Sequence, residues 1–405
     1  MRSRLALNGL NFFTAAIQAG FGPFIAVWLT ESGWSLTALG LALSIGTLTA
    51  LVGQLPAGML VDQIHRKRIP TAGALVALAI SALMLCLAPT EPSVWAAEIT
   101  HGLASCVMTP AIAAVTLSLC GHDNFSELLG QNTRYASLGN AASAALLGAA
   151  ASTISQQAVF LVTAALVVPA LLSLALIRTA DGIDPRDDHP ALLHPRERVH
   201  WPWQIFAEPA LHVFAVACVL FQLANAALLP IALNGLADRR DAPGWLVSAT
   251  IVVPQMIAAL IAPWAGGLAQ RLGRRPVLLA GFAAVPLRAL LFAVLPGAMP
   301  LAVLQALDGV SAAVFGMMLP LIAADLTQRT GYLNLAIGAL GLASGLGATF
   351  STALAGWIGD RFGDPMTFLF LATVGATAVL LLGVAMPETR PPAQVRDAEK
   401  ATLPA

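Results

Sequence analysis

Charge is scarce in this chain. Only 10% of its 405 residues are Asp, Glu, Lys or Arg, and 21 acidic residues balance 21 basic ones. A balance of zero argues against a nucleic-acid partner, which would select a basic surface. The four cysteines, Cys86, Cys106, Cys120 and Cys218, lie in or beside apolar segments. Their spacing suits neither a metal site nor a disulfide framework, so they read as small core hydrophobes. No Gly-rich phosphate loop with its lysine is present, which excludes a primary ATP-driven pump. A nucleophile elbow and an HExxH motif are missing too, so nothing points to an enzyme, a metal or a cofactor.

What the chain has is apolar length. Hydrophobic residues make up 58% of it, at a mean hydropathy of +0.78. The runs predict twelve spans of about 20 residues or more, the length a bilayer demands. The first six are 6–29, 36–60, 70–88, 93–119, 134–155 and 157–178; the second six are 209–235, 244–268, 276–295, 299–326, 332–358 and 365–386. The N-terminal run is too long for a signal segment and reads as the first span. Between the sets lies a polar link, 179–208, and a polar tail follows at 387–405. The link's mixed charge and prolines read as a solvated tether. Its segment Trp201–Phe206 suits an aqueous interface, where Trp is favoured. The expected architecture is an all-α membrane protein of two six-helix units, 1–178 and 209–386.

Lys and Arg orient it. Loops on the side of the termini hold Arg2, Arg4, Arg66, Lys67, Arg68, Arg134, Arg178, Arg186, Arg196, Arg198, Arg271, Arg274, Arg275, Arg329, Arg390, Arg396 and Lys400. Loops on the opposite side hold only Arg239, Arg240 and Arg361, and Arg288 falls inside a span. The termini and the link are therefore expected in the cytoplasm, with the chain in the plasma (inner) membrane.

The stretch GQLPAGMLVDQIHRKR, Gly53–Arg68, joins two spans. Gly58 and Asp62 are four apart and share a helical face. Asp62 falls where a helix should end, a poor place for an acid, because the C-terminus already carries partial negative charge. A diverged copy has Gly266, Gln270, Arg274 and Arg275 where the first has Gly58, Asp62, Arg66 and Lys67. This repeated pattern resembles the signature loop of the major facilitator superfamily of twelve-helix secondary transporters. It departs at His65, in place of a usual Gly, and at Gln270, in place of Asp. The halves echo one another elsewhere: Gln18 precedes Pro23 by five as Asn225 precedes Pro230, Gly33-Trp34 matches Gly244-Trp245, and Glu98-Ile-Thr-His101-Gly102 matches Gln305-Ala-Leu-Asp308-Gly309.

The resemblance implies two parallel six-helix repeats with a substrate site between them near the midplane, lined by the first and fourth helices of each. Ionisable groups there need a partner, a wet cavity or a function. Glu98 stands where many proton-coupled members carry Arg; it reads as a cavity acid or an interfacial one. His101 shares its face and reads as a neutral hydrogen-bonding group or a proton carrier. Arg288 and Asp308 lie ten residues before and after the ninth–tenth hairpin tip near Ala298, hence at one depth. They can pair, unless Arg288 snorkels alone and Asp308 faces a wet cavity. Asn11, Gln18, Gln222, Asn225 and Gln305, with Phe24 and other aromatics nearby, suit an amphiphilic organic solute or ordinary helix contacts. Gly338, Gly341, Gly345 and Gly347 suit close helix packing or a hinge.

The expectation is a monomeric, proton-coupled transporter of a small organic solute working by alternating access. A transporter-shaped ligand sensor is the alternative. Gly58, Asp62, Arg66, Lys67, Gly266, Gln270 and Arg274 would form the gate, with Asp62 facing the N-terminus of the eleventh span near Tyr332–Ala336. Asp308, Arg288, His101 and Glu98 would carry the coupling.

Overall fold

The computed structural model describes residues 2–87, 90–177, 202–238, 244–295, 297–328 and 330–390. The charged part of the link and the tail beyond Arg390 lie outside them. The described residues form fourteen α-helices: α1 (Arg2–Ala19), α2 (Pro23–Glu31), α3 (Leu36–Gln63), α4 (Arg68–Leu87), α5 (Glu91–Cys120), α6 (Phe125–Thr153), α7 (Gln156–Leu176), α8 (Pro209–Asn225), α9 (Leu228–Asp238), α10 (Gly244–Leu272), α11 (Arg274–Val294), α12 (Ala298–Thr327), α13 (Leu333–Phe362) and α14 (Asp364–Ala385). A 3-10 turn, Pro202–Ala207, precedes α8, with Trp203 exposed and Ile205 buried.

Eleven helical segments are long and apolar enough to cross a membrane, counting α1 with α2 and α8 with α9. The twelfth is α6. The sequence places its start at 134, but the helix begins at Phe125. Its polar opening turns are helical because neighbours satisfy them: Ser126 Oγ donates to the Gly266 carbonyl (2.7 Å) and Asn132 Nδ2 to Thr116 Oγ1 (2.8 Å). Arg134 is consequently a helix residue, not a loop one.

The first and seventh spans are each broken rather than continuous. Proline lacks an N–H and its ring clashes with the carbonyl four residues back, so it favours the first turn of a helix, although α3, α5 and α10 run on through Pro56, Pro110 and Pro254. Gly20–Gly22 interrupts before Pro23, which opens α2. Ala226 and Ala227 interrupt before α9, which contains Pro230. The repeated spacing of Gln18 to Pro23 and Asn225 to Pro230 therefore marks two helix breaks, each just beyond a polar side chain.

Packing repeats in the two halves. In the first, α1 meets α6 and α7, α5 meets α3 and α4, and α4 meets α7; in the second, α8 meets α13 and α14, α12 meets α10 and α11, and α11 meets α14. Each half holds its own buried apolar cluster; that of the second reaches into α5 and α6 through Ala113, Leu117, Phe125 and Leu129. The halves meet chiefly through α3 with α13 and α6 with α10. Lipid offers no hydrophobic drive between helices, so association rests on close approach of small residues. Gly338 and Gly341 of α13 lie against Gln54, Gly345 against Leu51, and Gly347 against the Val219 carbonyl. All four stand in packed contacts.

Gly139 of α6 sits on the Phe12 carbonyl of α1, where a side chain would collide with backbone. Gly139→Val is expected to cost about 1–3 kcal/mol from overpacking and to lower the melting temperature in detergent by several degrees. Gly73→Ala, with nothing within 4 Å of the added methyl, should leave it unchanged. Equal melting of both variants would refute this account of the α1–α6 contact.

Candidate functional site

The site is built at two levels. The first is the end of the bundle that holds the basic loops. Asp62 occupies the last turn of α3 and is 5% exposed. Its Oδ1 accepts from the backbone N–H (3.1 Å) and side-chain amide (2.7 Å) of Asn334, and Oδ2 accepts from the Leu335 N–H (2.8 Å). Helix α13 has no side-chain cap of its own; Tyr332 stands at its N-cap position without one. Its free N–H groups are thus capped from the other half of the molecule, by an acid placed where their dipole favours negative charge. The acid's poor position on its own helix is offset by Lys67, whose Nζ donates to the carbonyls of Val61 (2.8 Å) and Asp62 (3.3 Å). Gly58, one turn before, lies so close to the Asn334 carbonyl that a β-carbon would overlap it. Arg66 is exposed.

The second copy holds differently. Gly266 packs on the Ser126 carbonyl. The Gln270 amide donates to the Asp123 carbonyl (2.9 Å) and its oxygen accepts from Arg274 Nη1 (3.2 Å). It therefore meets a loop carbonyl instead of a helix N-terminus, and without charge. Arg274, unlike its counterpart Arg66, is 4% exposed and ion-paired to Asp325 at 2.9 Å. Glu388, just after α14, accepts from the backbone N–H groups of Arg274 (2.7 Å), Arg275 (3.1 Å) and Arg390 (2.9 Å). Partial burial pushes the Glu388 carboxyl up, but those three donors and the Arg274 charge outweigh it and hold it below the ordinary carboxylate range. Thr389 Oγ1 adds a bond to Asp325 (3.2 Å). Sequence reasoning missed Asn334, Asp325 and Glu388. The only signal was an acid near the end of the tenth span, as Asp62 is near the end of the second.

The second level lies inside the bundle. Arg288 is 2% exposed and ion-paired with Asp308. It also donates to Asn225 Oδ1 (2.7 Å) and Gln305 Oε1 (3.2 Å), and its guanidinium lies 5.9 Å from the Phe292 ring centre. Gln305 passes the chain on to the Thr250 carbonyl (3.3 Å). Four residues singled out from sequence, Asn225, Arg288, Gln305 and Asp308, form one cluster beside the α8–α9 break. Asp308, at 24% exposure, is its most accessible charge. Arg288 does not point away from α12, so the snorkelling alternative is excluded.

A second cluster flanks the α1–α2 break. His101 Nε2 is 3.3 Å from Gln18 Oε1 and 3.2 Å from Ser105 Oγ, which donates to Gln18 (3.1 Å); Phe21 stacks on the imidazole with ring centres 4.2 Å apart. Ser105 was not foreseen. Glu98 is not part of this cluster. Its carboxylate turns to Gly46 of α3, where the missing side chain leaves room, and Oε1 has no hydrogen-bond partner. It is 4% exposed. Two cavity candidates also differ from expectation. Gln305 is fully buried, and Asn11, 6% exposed, gives its amide hydrogen to the Leu7 carbonyl of its own helix (2.9 Å). Gln18, Gln222, Asn225 and Phe24 are partly exposed. Nearby in the second half, Phe221 stacks face to face on Phe315 at 4.5 Å.

A family model described as the MFS_1 like family matches residues 4–370. An uncharacterized MFS-type transporter of Mycobacterium tuberculosis (strain ATCC 25618 / H37Rv) is 33% identical over 401 residues, covering 95% of this chain and 93% of the relative. A multidrug resistance protein B homolog of the same strain is 29% identical over 150 residues, 36% of this chain and 27% of its own length. The proton:xylose symporter XylE bound to 6-bromo-6-deoxy-D-glucose superposes with a TM-score of 0.74 at 13% identity, covering 96% of this chain and 97% of that one. The human organic anion transporter MFSD10 (TETRAN) superposes at 0.70 and 14% identity, covering 94% and 99%. At these identities the two structures share the fold.

Two outcomes follow from this geometry. Asp62→Asn should lengthen spin-label distances across the basic end, while Gln270→Ala changes them less; unchanged distances in Asp62→Asn would exclude a latch. Glu388 has a depressed folded-state value, so its anchor is in place above the ordinary carboxylate range and is lost as pH falls through the lower folded value. Hydrogen exchange at the Arg274 and Arg275 amides, corrected for intrinsic rates, should rise over that acid range in the wild type and be insensitive to it in Glu388→Gln.

Proposed function

The chain belongs to the major facilitator superfamily, in its MFS_1 like family, and is a multi-pass membrane transporter; from that premise we propose that it carries a small amphiphilic organic solute by alternating access, coupled to protons. The observation that carries this reading is the buried Arg288–Asp308 pair joined to Asn225 and Gln305. A buried ion pair contributes little net stability, because desolvation offsets attraction. Ionisable groups at membrane depth point to a functional role.

The guanidinium and a proton compete for the same carboxylate. A rearrangement that parts Arg288 from Asp308 leaves Asp308 to take a proton, and their reunion expels it. Asn225, at the end of α8, links the guanidinium to the helix break, where movement of α9 against α8 can be felt. His101 is the counterpart in the first half, tied to Gln18 at the matching break. Glu98, buried alone against Gly46, is a second titratable group whose part in coupling we assign below that of Asp308.

Uncharged donors at Gln18, Gln222 and Asn225 beside the Phe221–Phe315 stack suit a solute with both polar and apolar faces. The shared fold does not choose among substrates, since a sugar symporter and an organic anion transporter both have it. Relatives that are transporters give the sensor reading no support. We place the termini in the cytoplasm of the inner membrane, on the basic-loop argument, and take the transporter to act as a monomer with the units 1–178 and 209–386 rocking about the link. The Asp62 latch then closes the cytoplasmic side in this conformation, and Gly58, Lys67, Gly266, Gln270 and Arg274 form the rest of that gate.

Asp308→Asn should abolish proton-driven accumulation in proteoliposomes while leaving solute exchange largely intact. His101→Ala should shift the pH dependence without that total loss. Full gradient-driven transport by Asp308→Asn would overturn the coupling assignment.

A further inference from the structure

Arg134 is unlike the other buried-depth arginines. It lies nine residues into α6, about 13 Å from the helix start at 1.5 Å per residue. Arg274 and Arg288 are buried and ion-paired. Arg134 is exposed, and its guanidinium has no ion pair or hydrogen bond among the described residues.

Its direction follows from its neighbours. Gly130 and Asn140 of α6 face α10, Asn132 faces α5, and Gly139 and Ser143 face α1. These positions take up one side of the helix. Glu127, Arg134, Ala142, Ala145 and Leu146 are exposed and fall, at helical spacing, on the other. Arg134 is therefore on the outside of the bundle.

Its depth follows from the antiparallel seam with α10. Ser126 is level with Gly266, Gly130 with Ala262 and Pro263, and Asn140 with Gln255. Arg134 is thus level with the stretch of α10 that exposes Met256 (43%) and Leu260 (67%). Both are apolar and face outward at a depth that the spans assign to lipid. An uncompensated cation there is costly unless it reaches a polar partner. Arginine does so by extending its stem along apolar surface toward the interface. In that direction Gly267 of α10 carries no side chain, and a methyl added there would meet nothing within 4 Å.

We propose that the outer α6–α10 seam binds one anionic phospholipid, its phosphate held by Arg134 and its acyl chains lying over Met256 and Leu260. A guanidinium offers paired N–H donors in the geometry a phosphate accepts, and the apolar flank rules out a freely diffusing anion as the preferred occupant. Because α6 and α10 belong to different halves, the bound lipid bridges them and favours the conformation in which this seam is closed. The proposal rests on the membrane spans and not on proton coupling, so it stands or falls separately from Asp308.

Native mass spectrometry of the delipidated protein with added phosphatidylglycerol tests it. The wild type should retain one tightly bound phosphatidylglycerol, and Arg134→Leu should weaken that first binding event about tenfold. Arg271→Leu, which removes an exposed cation from the last turn of α10, should leave it within twofold. Inorganic phosphate in excess should not displace the lipid. Equal binding by wild type and Arg134→Leu, equal loss in Arg271→Leu, or displacement by inorganic phosphate would each overturn the proposal. Should Arg134→Leu not fold, a photoactivatable phosphatidylglycerol labelled in its headgroup decides on the wild type. Crosslinks confined to residues 127–135 and 260–267 support the site, and crosslinks elsewhere refute it.

Discussion

A backbone N–H or a charge inside a bilayer has no water to turn to, so the protein itself must supply each partner. The Asp62 contact to α13 answers that need across two units. Helix α13 begins without a capping side chain, and α3 ends in an acid its own dipole disfavours. Neither end is satisfied within its own helix. Brought together, two backbone donors and one side-chain amide meet one carboxylate. A cap is ordinarily local and permanent; this one is made between halves, so it holds only while they are together.

The chain is a repeat that has diverged, and the divergence is physical. At the matching position Gln270 is neutral and meets a carbonyl, so it exerts no charge–dipole attraction. The second half invests its charge elsewhere. Arg274 is buried on Asp325, and the segment after α14 is pinned back to the start of α11 by Glu388. One side of the basic end is thus held by a bond between halves, and the other by a network largely within one half. Between the halves at this end Asp62 meets α13 through a carboxylate, whereas Ser126 and Gln270 bridge them with neutral hydrogen bonds.

Deeper in the bundle the two breaks, before Pro23 and around Ala226, do equivalent things. Each stops a helix one or two residues after a polar side chain; Gln18 is set against α5, the fourth span of its half, and Asn225 against Arg288 of α11, the third of its own. The first half places a histidine there and the second an acid with its arginine. The halves therefore share a scaffold and differ in chemistry.

Much of this was legible in sequence. Span number, the basic side, the repeat and the equal depth of Arg288 and Asp308 all follow from hydropathy and from a fixed rise per residue, which are local properties. The Asp62–α13 contact was legible too, because a misplaced acid implies a distant donor. Other features were decided only by tertiary structure. Glu98 and His101 share a face by spacing, yet a missing side chain at Gly46 draws one away while Gln18 and Ser105 hold the other. Gln305 and Asn11, read as cavity residues, are sealed by neighbours whose identity no local pattern encodes. Arg134 looked like a loop residue because α6 opens with polar side chains, and only the helices packed beside it make those turns helical. Periodicity and charge fix what each helix is; which side chain meets which depends on close approach between segments tens to hundreds of residues apart, and that is a property of the packed whole.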